Sequence, residues 1–262
     1  MKAASRSKTF AKKSLGQNFL AAPNYVDKII AAVSPSDGDT IIEIGPGRGA
    51  LTEHLVESGA NVIAIELDRD LVPVLTEKFS RYANFQVLEQ DALDVNFETL
   101  TTNNSKLVAN LPYYISTAIL QHLAEQRHCF SELVLMFQRE VVDRITAKPG
   151  NSDRGFLTVL VEASFETEKL FDVPPEAFRP MPKVSSSVVR LKPKPAELAD
   201  PEVFRNMVSL SFAQKRKTIL NNLKPHYANA PQALAAAGIE PSRRAETLTL
   251  VEWKQLAEYL TN

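Results

Sequence analysis

The sequence predicts an α/β chain in two parts: a mostly parallel sheet with helices on both faces, followed by a small all-helical domain. Three observations predict this. Short β-branched runs alternate with stretches of helical apolar spacing from residue 23 to residue 147, the pattern that builds a parallel sheet through right-handed crossovers. The stretch LKPKPAELADP (191–201) holds three prolines and few large apolar side chains, which marks a linker. Beyond it, residues 202–262 keep a helical pattern, interrupted by a Gly-Ile-Glu-Pro turn at 238–241. Domains are therefore expected at 1–195 and 196–262.

Each element follows from its local pattern. PNYVDKIIAAV (23–33) repeats apolar residues at helical spacing. DTIIEI (39–44) is a β-branched run ending in glycines, so it reads as a buried strand. Residues 49–59 read as a helix, NVIAIEL (61–67) as a second strand, 71–81 as a helix, 85–89 as a third strand and 106–109 as a fourth. A helix at 115–126, a strand at 133–138 and a helix at 139–147 follow. FETEKLF (165–171) and SSVVRL (186–191) are expected to finish the sheet as an antiparallel pair.

Composition narrows the function classes. A chain of 262 residues with 44% hydrophobic and 23% charged content is ordinary for a globular protein. No apolar run approaches the ~20 residues of a membrane span. The basic N-terminus MKAASRSKTFAKKSLGQNF lacks the apolar core of a secretory signal. Cys129, the one cysteine, excludes an internal disulfide, and His54, His122, His128 and His226 lack ligand spacing. No metal is expected, and a reducing, cytoplasmic setting is the default. The net charge of −1 argues against nucleic acid, but its distribution argues for it. Lys2, Arg6, Lys8, Lys12 and Lys13 share an acid-free stretch, as do Arg179, Lys183, Arg190, Lys192 and Lys194. QKRK (214–217) and Arg243–Arg244 add two more clusters. One such cluster is usually a solvated face; four imply a surface basic enough for a phosphate backbone.

The loop in EIGPGRGALTEHL (43–55) places Gly45, Gly47 and Gly49 between a strand and a helix, where a ligand can approach the backbone at a helix N-terminus. The spacing is G-x-G-x-G, so a nicotinamide dinucleotide fits poorly, and the Gly-Lys-Ser/Thr of a P-loop is absent. Glu66 ends the next strand, about twenty residues on, where a carboxylate can bind both ribose hydroxyls. Asp91 ends the third strand in EQDAL, placed to accept from an adenine amino group. Either acid alone is as readily a helix cap or a loop charge. Three successive strand ends supplying Gly-x-Gly, Glu and Asp favour a nucleoside. The fourth ends in VANLPYYIST (108–117), where Pro112 stiffens the backbone and restricts Leu111.

The order EIGPGRGALT, ELD, QDAL, NLPYYIST resembles the S-adenosylmethionine-dependent methyltransferases and, more narrowly, the ribosomal RNA adenine N6-dimethyltransferase family. SLGQNFL (14–20), VLMFQREVVDRI (134–145), FRPMPKVSSSVVRL (178–191), SFAQKRKTILNNL (211–223) and GIEPSRRAETLTL (238–250) agree, so the match spans nearly the whole chain. The last two segments point to the bacterial type that acts on small-subunit RNA, while the erythromycin-resistance methylases share the core motifs but modify large-subunit RNA. Tyr114 departs from the pattern, since many relatives carry Asn there.

The resemblance implies a Rossmann-like fold with S-adenosylmethionine as cofactor. Gln17, Asn18 and Leu20 would fold over it, Glu43, Gly45 and Gly47 would hold its methionine end, and Glu66 would bind its ribose. Leu67 would pack on its adenine, and Asp91 with Ala92 would read the amino edge. Asn110, Pro112 and Tyr113 would face the acceptor base, with Phe178 as the opposite stacking face, since extruded bases are commonly held between aromatics. The adenine amine is a poor nucleophile with two N–H donors. An Asn110 oxygen and the Pro112 carbonyl could accept both, leaving the lone pair aimed at the methyl, so catalysis is mainly orientation. Lys12, Lys13, Arg179, Lys183, Lys215, Arg216 and Lys217 are the RNA-binding candidates; Arg243 and Arg244 could serve helix-helix ion pairs instead. The implied partner is small-subunit ribosomal RNA within an immature 30S particle, methylated at two adjacent adenosines near its 3′ end by a monomeric enzyme. A non-catalytic assembly factor would have lost part of the set Glu66, Asp91, Asn110, Pro112 and Tyr113. A small-molecule methyltransferase would not need the basic clusters.

Overall fold

The computed structural model describes residues 12, 15–102, 105–196, 198 and 200–260. The chain forms two compact units, Met1–Arg139 with Glu168–Pro193 and Glu140–Thr167 with Lys194–Asn262.

In the first unit a short antiparallel pair, β1 (Phe19–Leu20) and β8 (Phe178–Arg179), stands apart from the main sheet. The main sheet comprises β2 (Thr40–Ile44), β3 (Asn61–Glu66), β4 (Phe85–Glu89), β5 (Ser105–Asn110), β6 (Phe130–Gln138), β7 (Phe165–Val173) and β9 (Ser186–Pro193), in the order β4-β3-β2-β5-β6-β9-β7. The pairs β2–β3, β3–β4, β2–β5 and β5–β6 are parallel, and β6–β9 is antiparallel. Ile41 and Ile42 point to opposite faces of β2, yet both are fully buried. Both faces are therefore covered, which is what a continuous β-branched run requires. The helices α1 (Pro23–Val33), α2 (Thr52–Glu57) and α3 (Val72–Lys78) contribute Val26, Leu55 and Leu75 to a core with Ile41, Val62, Val108 and Val134. Fully buried Ile119, Leu120 and Leu123 lie on α4 (Ser116–Glu125).

The late strands β9 and β7 lie side by side at one end of the sheet, as expected of a terminal pair. β9 takes the inner place against β6, in register from Leu133↔Leu191 to Gln138↔Ser186, and β7 forms the edge. Burial explains the order: Ser186–Val189 are all buried, whereas β7 exposes Glu166, Glu168, Lys169 and Asp172, charges suited to an edge strand. The helix expected from residue 49 begins only at Thr52, because Gly49 adopts φ +77° in a turn.

The second unit holds α5 (Arg139–Ile145) beyond its first residue, α6 (Phe156–Ser164), α7 (Pro201–Ser211), α8 (Ile219–Leu223), α9 (Ala230–Ala236) and α10 (Leu250–Leu260). The expected boundary at residue 195 places residues 140–167 with the sheet domain. They group instead with the C-terminal helices, because Val159 and Ala163 of α6 share a core with Phe204, Met207, Ile219, Leu234 and Trp253. Asp200 caps α7 by accepting from the Glu202 and Val203 N–H groups, with Pro201 opening the helix. QKRK is an exposed turn between α7 and α8, braced by Asn222 Nδ2, which donates to the Ser211 carbonyl at 2.7 Å.

Strand order reverses at β2: the chain runs outward through β3 and β4 on one side and through β5 and β6 on the other. Ligands of open α/β sheets bind beyond the carboxyl ends of the strands at such a point.

Candidate cofactor and acceptor site

A pocket opens there. Its wall is supplied by Leu15–Phe19, the glycine turn after β2, Ile65–Leu67 after β3, Gln90–Ala92 after β4, and Asn110–Ile115 after β5. Gly47 adopts φ +57°, and a Cβ there would lie 2.8 Å from the Phe19 ring. A side chain would therefore both strain the backbone and displace the N-terminal segment that walls the pocket.

Glu66 sits at the centre. Its Oε2 accepts from the Gly47 N–H at 3.1 Å and its Oε1 from the Asp68 N–H at 2.9 Å. Only 6% of the residue is exposed, and burial raises its pKa against the pull of these hydrogen bonds. Asp91 lines the wall and caps the short 3₁₀ turn Ala92–Asp94 by accepting from the Leu93 N–H at 3.0 Å. It therefore combines the two roles the sequence offered as alternatives, a cap and a pocket acid. Leu67 is 43% exposed on the wall, a free apolar surface beside these acids, and Ala92 joins it.

The N-terminal segment is tied across the pocket by polar contacts. Gln17 Nε2 donates to Asp68 Oδ2 at 2.7 Å, and Gln17 Oε1 accepts from the Lys12 N–H at 2.7 Å. Lys12 Nζ lies 2.5 Å from Asp68 Oδ1 and 2.7 Å from Asp70 Oδ2. Burial alone would raise the Asp68 carboxyl, but Lys12 and Gln17 hold it below its ordinary value. Asn18 lines the pocket, and its carbonyl accepts from Asn110 Nδ2 at 3.2 Å. That bond commits the Asn110 amide nitrogen and leaves Oδ1 as the acceptor of a pocket-lining side chain. The Pro112 carbonyl accepts from the Ile115 N–H at 3.3 Å, a long bond that leaves a second lone pair. Tyr113 lines the pocket with Oη 2.9 Å from Ser186 Oγ. Burial raises the phenol's pKa, and the serine partly offsets this. Tyr114, 62% exposed, also borders the pocket.

Several expected residues lie elsewhere. Phe178 is 1% exposed and packs in the core, paired through β8 with Leu20 of β1, itself buried. Neither reaches the pocket wall: the strand pair turns both side chains inward. Glu43 lies beneath the wall, fully desolvated, with its carboxylate accepting from Thr52 Oγ1 at 2.6 Å. Burial pushes its pKa to about 7, and the Glu66 charge adds to the rise. Lys12, an RNA candidate, is engaged with Asp68 and Asp70, and Lys13 lies outside the described residues, as do Lys2, Arg6 and Lys8. Arg179 is exposed and donates to the Glu176 and Phe178 carbonyls; Lys183 is exposed. Lys215, Arg216 and Lys217 are exposed in their turn, whereas Arg243 pairs with Glu252 at 2.5 Å. Sequence reasoning assigned no role to Asp68, which shows only as the last letter of ELD, or to Ser186, hidden in a run of three serines. Among the described residues no helix is long and apolar enough to cross a membrane, and no group of three or more His, Cys, Asp or Glu could hold a metal ion.

Fold and pocket together define a Rossmann-like, S-adenosylmethionine-dependent methyltransferase. Two solved structures share the fold across most of this chain. A dimethyladenosine transferase from Plasmodium falciparum aligns with a TM-score of 0.80 at 29% identity, covering 91% of this chain and 95% of that one. The 23S rRNA methyltransferase ErmE aligns with a TM-score of 0.71 at 27% identity, covering 94% and 100%. The chain belongs to the ribosomal RNA adenine dimethylase family, which it matches over residues 9–262. Curated relatives named ribosomal RNA small subunit methyltransferase A include those of Aromatoleum aromaticum, 43% identical over 95% of this chain and 94% of that one, and Geobacillus thermodenitrificans, 42% identical over 95% and 90%.

Proposed function

We propose that this enzyme dimethylates the N6 amino groups of two adjacent adenosines near the 3′ end of 16S small-subunit ribosomal RNA. It acts as a cytoplasmic monomer on an immature 30S particle and contributes to subunit biogenesis. The relatives named for the small subunit support that substrate over large-subunit RNA. The observation that carries the chemistry is that Glu66, Asp91 and Asn110 line one pocket at three successive strand ends.

The pocket fits the cofactor. Its acceptors, the Glu66 carboxylate and Asp91, match ribose hydroxyls and an adenine amine, and the exposed Leu67 offers an apolar face for the ring. Gln17 and Asn18 close the segment over it, while Gly45 and Gly47 give its methionine end access to backbone. When bound, S-adenosylmethionine supplies the electrophilic methyl group. The chain's residues then orient the amine. Asn110 Oδ1 accepts one N–H and the Pro112 carbonyl the other, which favours a pyramidal nitrogen with its lone pair directed at the methyl. Tyr113 presents a stacking face, and no strong base is required, because the alkylated amine is acidic enough to lose its proton to water. Arg179, Lys183 and the 215–217 turn offer cations to phosphates, which position an RNA without reading its sequence. A primer-extension map of methylated adenines, in RNA from cells with and without the protein, tests the reading: loss of two adjacent stops supports it, and an unchanged map overturns it.

A further inference from the structure

The Tyr113 ring is held at both ends. Its backbone sits in the 3₁₀ turn Tyr113–Ile115, directly behind Pro112. Its far end, Oη, lies 2.9 Å from Ser186 Oγ. Ser186 is fully buried, opens β9, and pairs with Gln138 of β6. The preceding carbonyl, that of Ser185, accepts from the Arg139 N–H at 3.0 Å. The Ser186 hydroxyl is thus fixed to an inner strand of the sheet, and among the described residues its hydrogen-bond partner is Tyr113. A tyrosine anchored only at Cβ can swing its ring about χ1; an anchor at Oη, which lies on the χ2 axis, fixes the direction of the Cβ–Oη axis and so where the ring sits. The place of a stacking ring decides where the base against it comes to rest, and rate depends steeply on that placement. Ser186 also closes the loop that carries exposed Met181, Lys183 and Val184, so the bond links the acceptor ring to a surface segment rich in candidate RNA contacts.

We propose that Ser186 is a positioning residue for methyl transfer, holding the long axis of the Tyr113 ring in the place where the acceptor adenine stacks. This rests on the reading of Tyr113 as the acceptor face. A purely structural role, in which the bond only satisfies the two hydroxyls, makes a different prediction: it would lower stability and leave the rate of methyl transfer by the folded protein unchanged.

The experiment is a double-mutant cycle with Ser186→Ala and Tyr113→Phe, read by single-turnover methyl transfer on immature small subunits at saturating cofactor. Each single change is expected to slow transfer roughly 3–10-fold, the range of one lost hydrogen bond, and the double variant to be no slower than the slower single. Cofactor affinity is expected to be unchanged. Tyr113→Phe removes the same bond from the pocket side, so the test survives if Ser186→Ala folds poorly. Multiplying losses, or a wild-type rate in Ser186→Ala, would overturn the proposal. Tyr113→Ala separates the two layers: a slow Tyr113→Ala beside a fast Ser186→Ala removes Ser186 alone, whereas a fast Tyr113→Ala removes the stacking face itself.

Discussion

Replacing Glu66 by glutamine keeps its shape and changes its hydrogen-bonding sense. The carboxylate offers one oxygen to the Asp68 N–H and the other to the Gly47 N–H. A glutamine offers one oxygen and one NH2 group, so in either orientation one of those backbone donors faces another donor. An unsatisfied buried donor costs about 1–3 kcal/mol, which falls on stability. Cofactor binding loses a separate contribution, a charged acceptor for the ribose, worth about 1.5–3 kcal/mol. With about 1.4 kcal/mol per tenfold, that weakens S-adenosylmethionine roughly 10- to 150-fold. The residue is nearly buried, so solvent screening removes little of this. Because burial raises the carboxyl's pKa, acid should mimic the substitution. Wild-type affinity should decline with falling pH from a higher value than an ordinary glutamate would give, and the variant's affinity should not. Titration calorimetry reads the affinities, and a thermal melt shows the variant folded. NAD serves as a specificity control and should not bind the wild type. An unchanged dissociation constant at pH 8 in a folded variant would remove Glu66 from the cofactor site.

Asp68→Asn exchanges an acceptor of bonds from Lys12 and Gln17 for a side chain with one oxygen. With Lys12 partly exposed and its share screened, calorimetry should show cofactor binding weakened by roughly 3–10-fold; equal affinity would mean that these contacts do not hold the segment over the pocket. Reversing the charges of Lys215, Arg216 and Lys217 should weaken RNA binding and lower the slope of log affinity against log salt by about 0.7–0.9 for each lost phosphate contact, with cofactor affinity unmoved. An unchanged slope would make the turn a solvated loop. Burial lifts the folded Glu43 pKa to about 7 from the ordinary 4.5 of a glutamate, so between those values the native state keeps a proton that the unfolded chain releases. Stability therefore falls as pH rises through that window, by roughly 3 kcal/mol at most. Glu43→Gln should flatten that dependence in denaturant unfolding at pH 5 and pH 8; parallel profiles for the two proteins would contradict it.

The parts of the fold set by local chemistry were legible in the sequence. TIIEI and NVIAIE announce buried strands because β-branched side chains fill both faces. The Gly-x-Gly, Glu66, Asp91 and Asn110 stations follow because each lies at or just past the end of a strand. What stayed hidden depends on contacts between distant residues. Lys12 read as one cation among several, yet its acid partner lies 56 residues away. Phe178, in the polar stretch FRPMPK, has the same letters whether it faces a base or the core. A two-residue strand pairing with Phe19–Leu20 decides the matter, and it is too short to leave a period. Glu43 alternates with isoleucines as any strand residue could, and only the packing of Thr52 against it reveals a desolvated acid. The inner place of β9 and the edge place of β7 are likewise invisible to periodicity, which finds strands without ordering them.

Asn110 carries the central claim, that this enzyme accelerates methyl transfer by orienting the acceptor amine. Its amide nitrogen donates to the Asn18 carbonyl at 3.2 Å, and the proposed mechanism assigns its oxygen to the acceptor amine. An interaction that strengthens as the amine becomes pyramidal lowers the rate of the chemical step when lost, and leaves RNA affinity alone. The measurement is single-turnover methyl transfer by Asn110→Ala at saturating cofactor, on immature small subunits, beside an RNA-binding titration. The account predicts a rate lower by about 10²–10³, the usual loss for one preorganised partner, with RNA affinity near wild type and modest weakening of the cofactor. A rate within a few-fold of wild type, or a loss fully restored by more RNA, would contradict it.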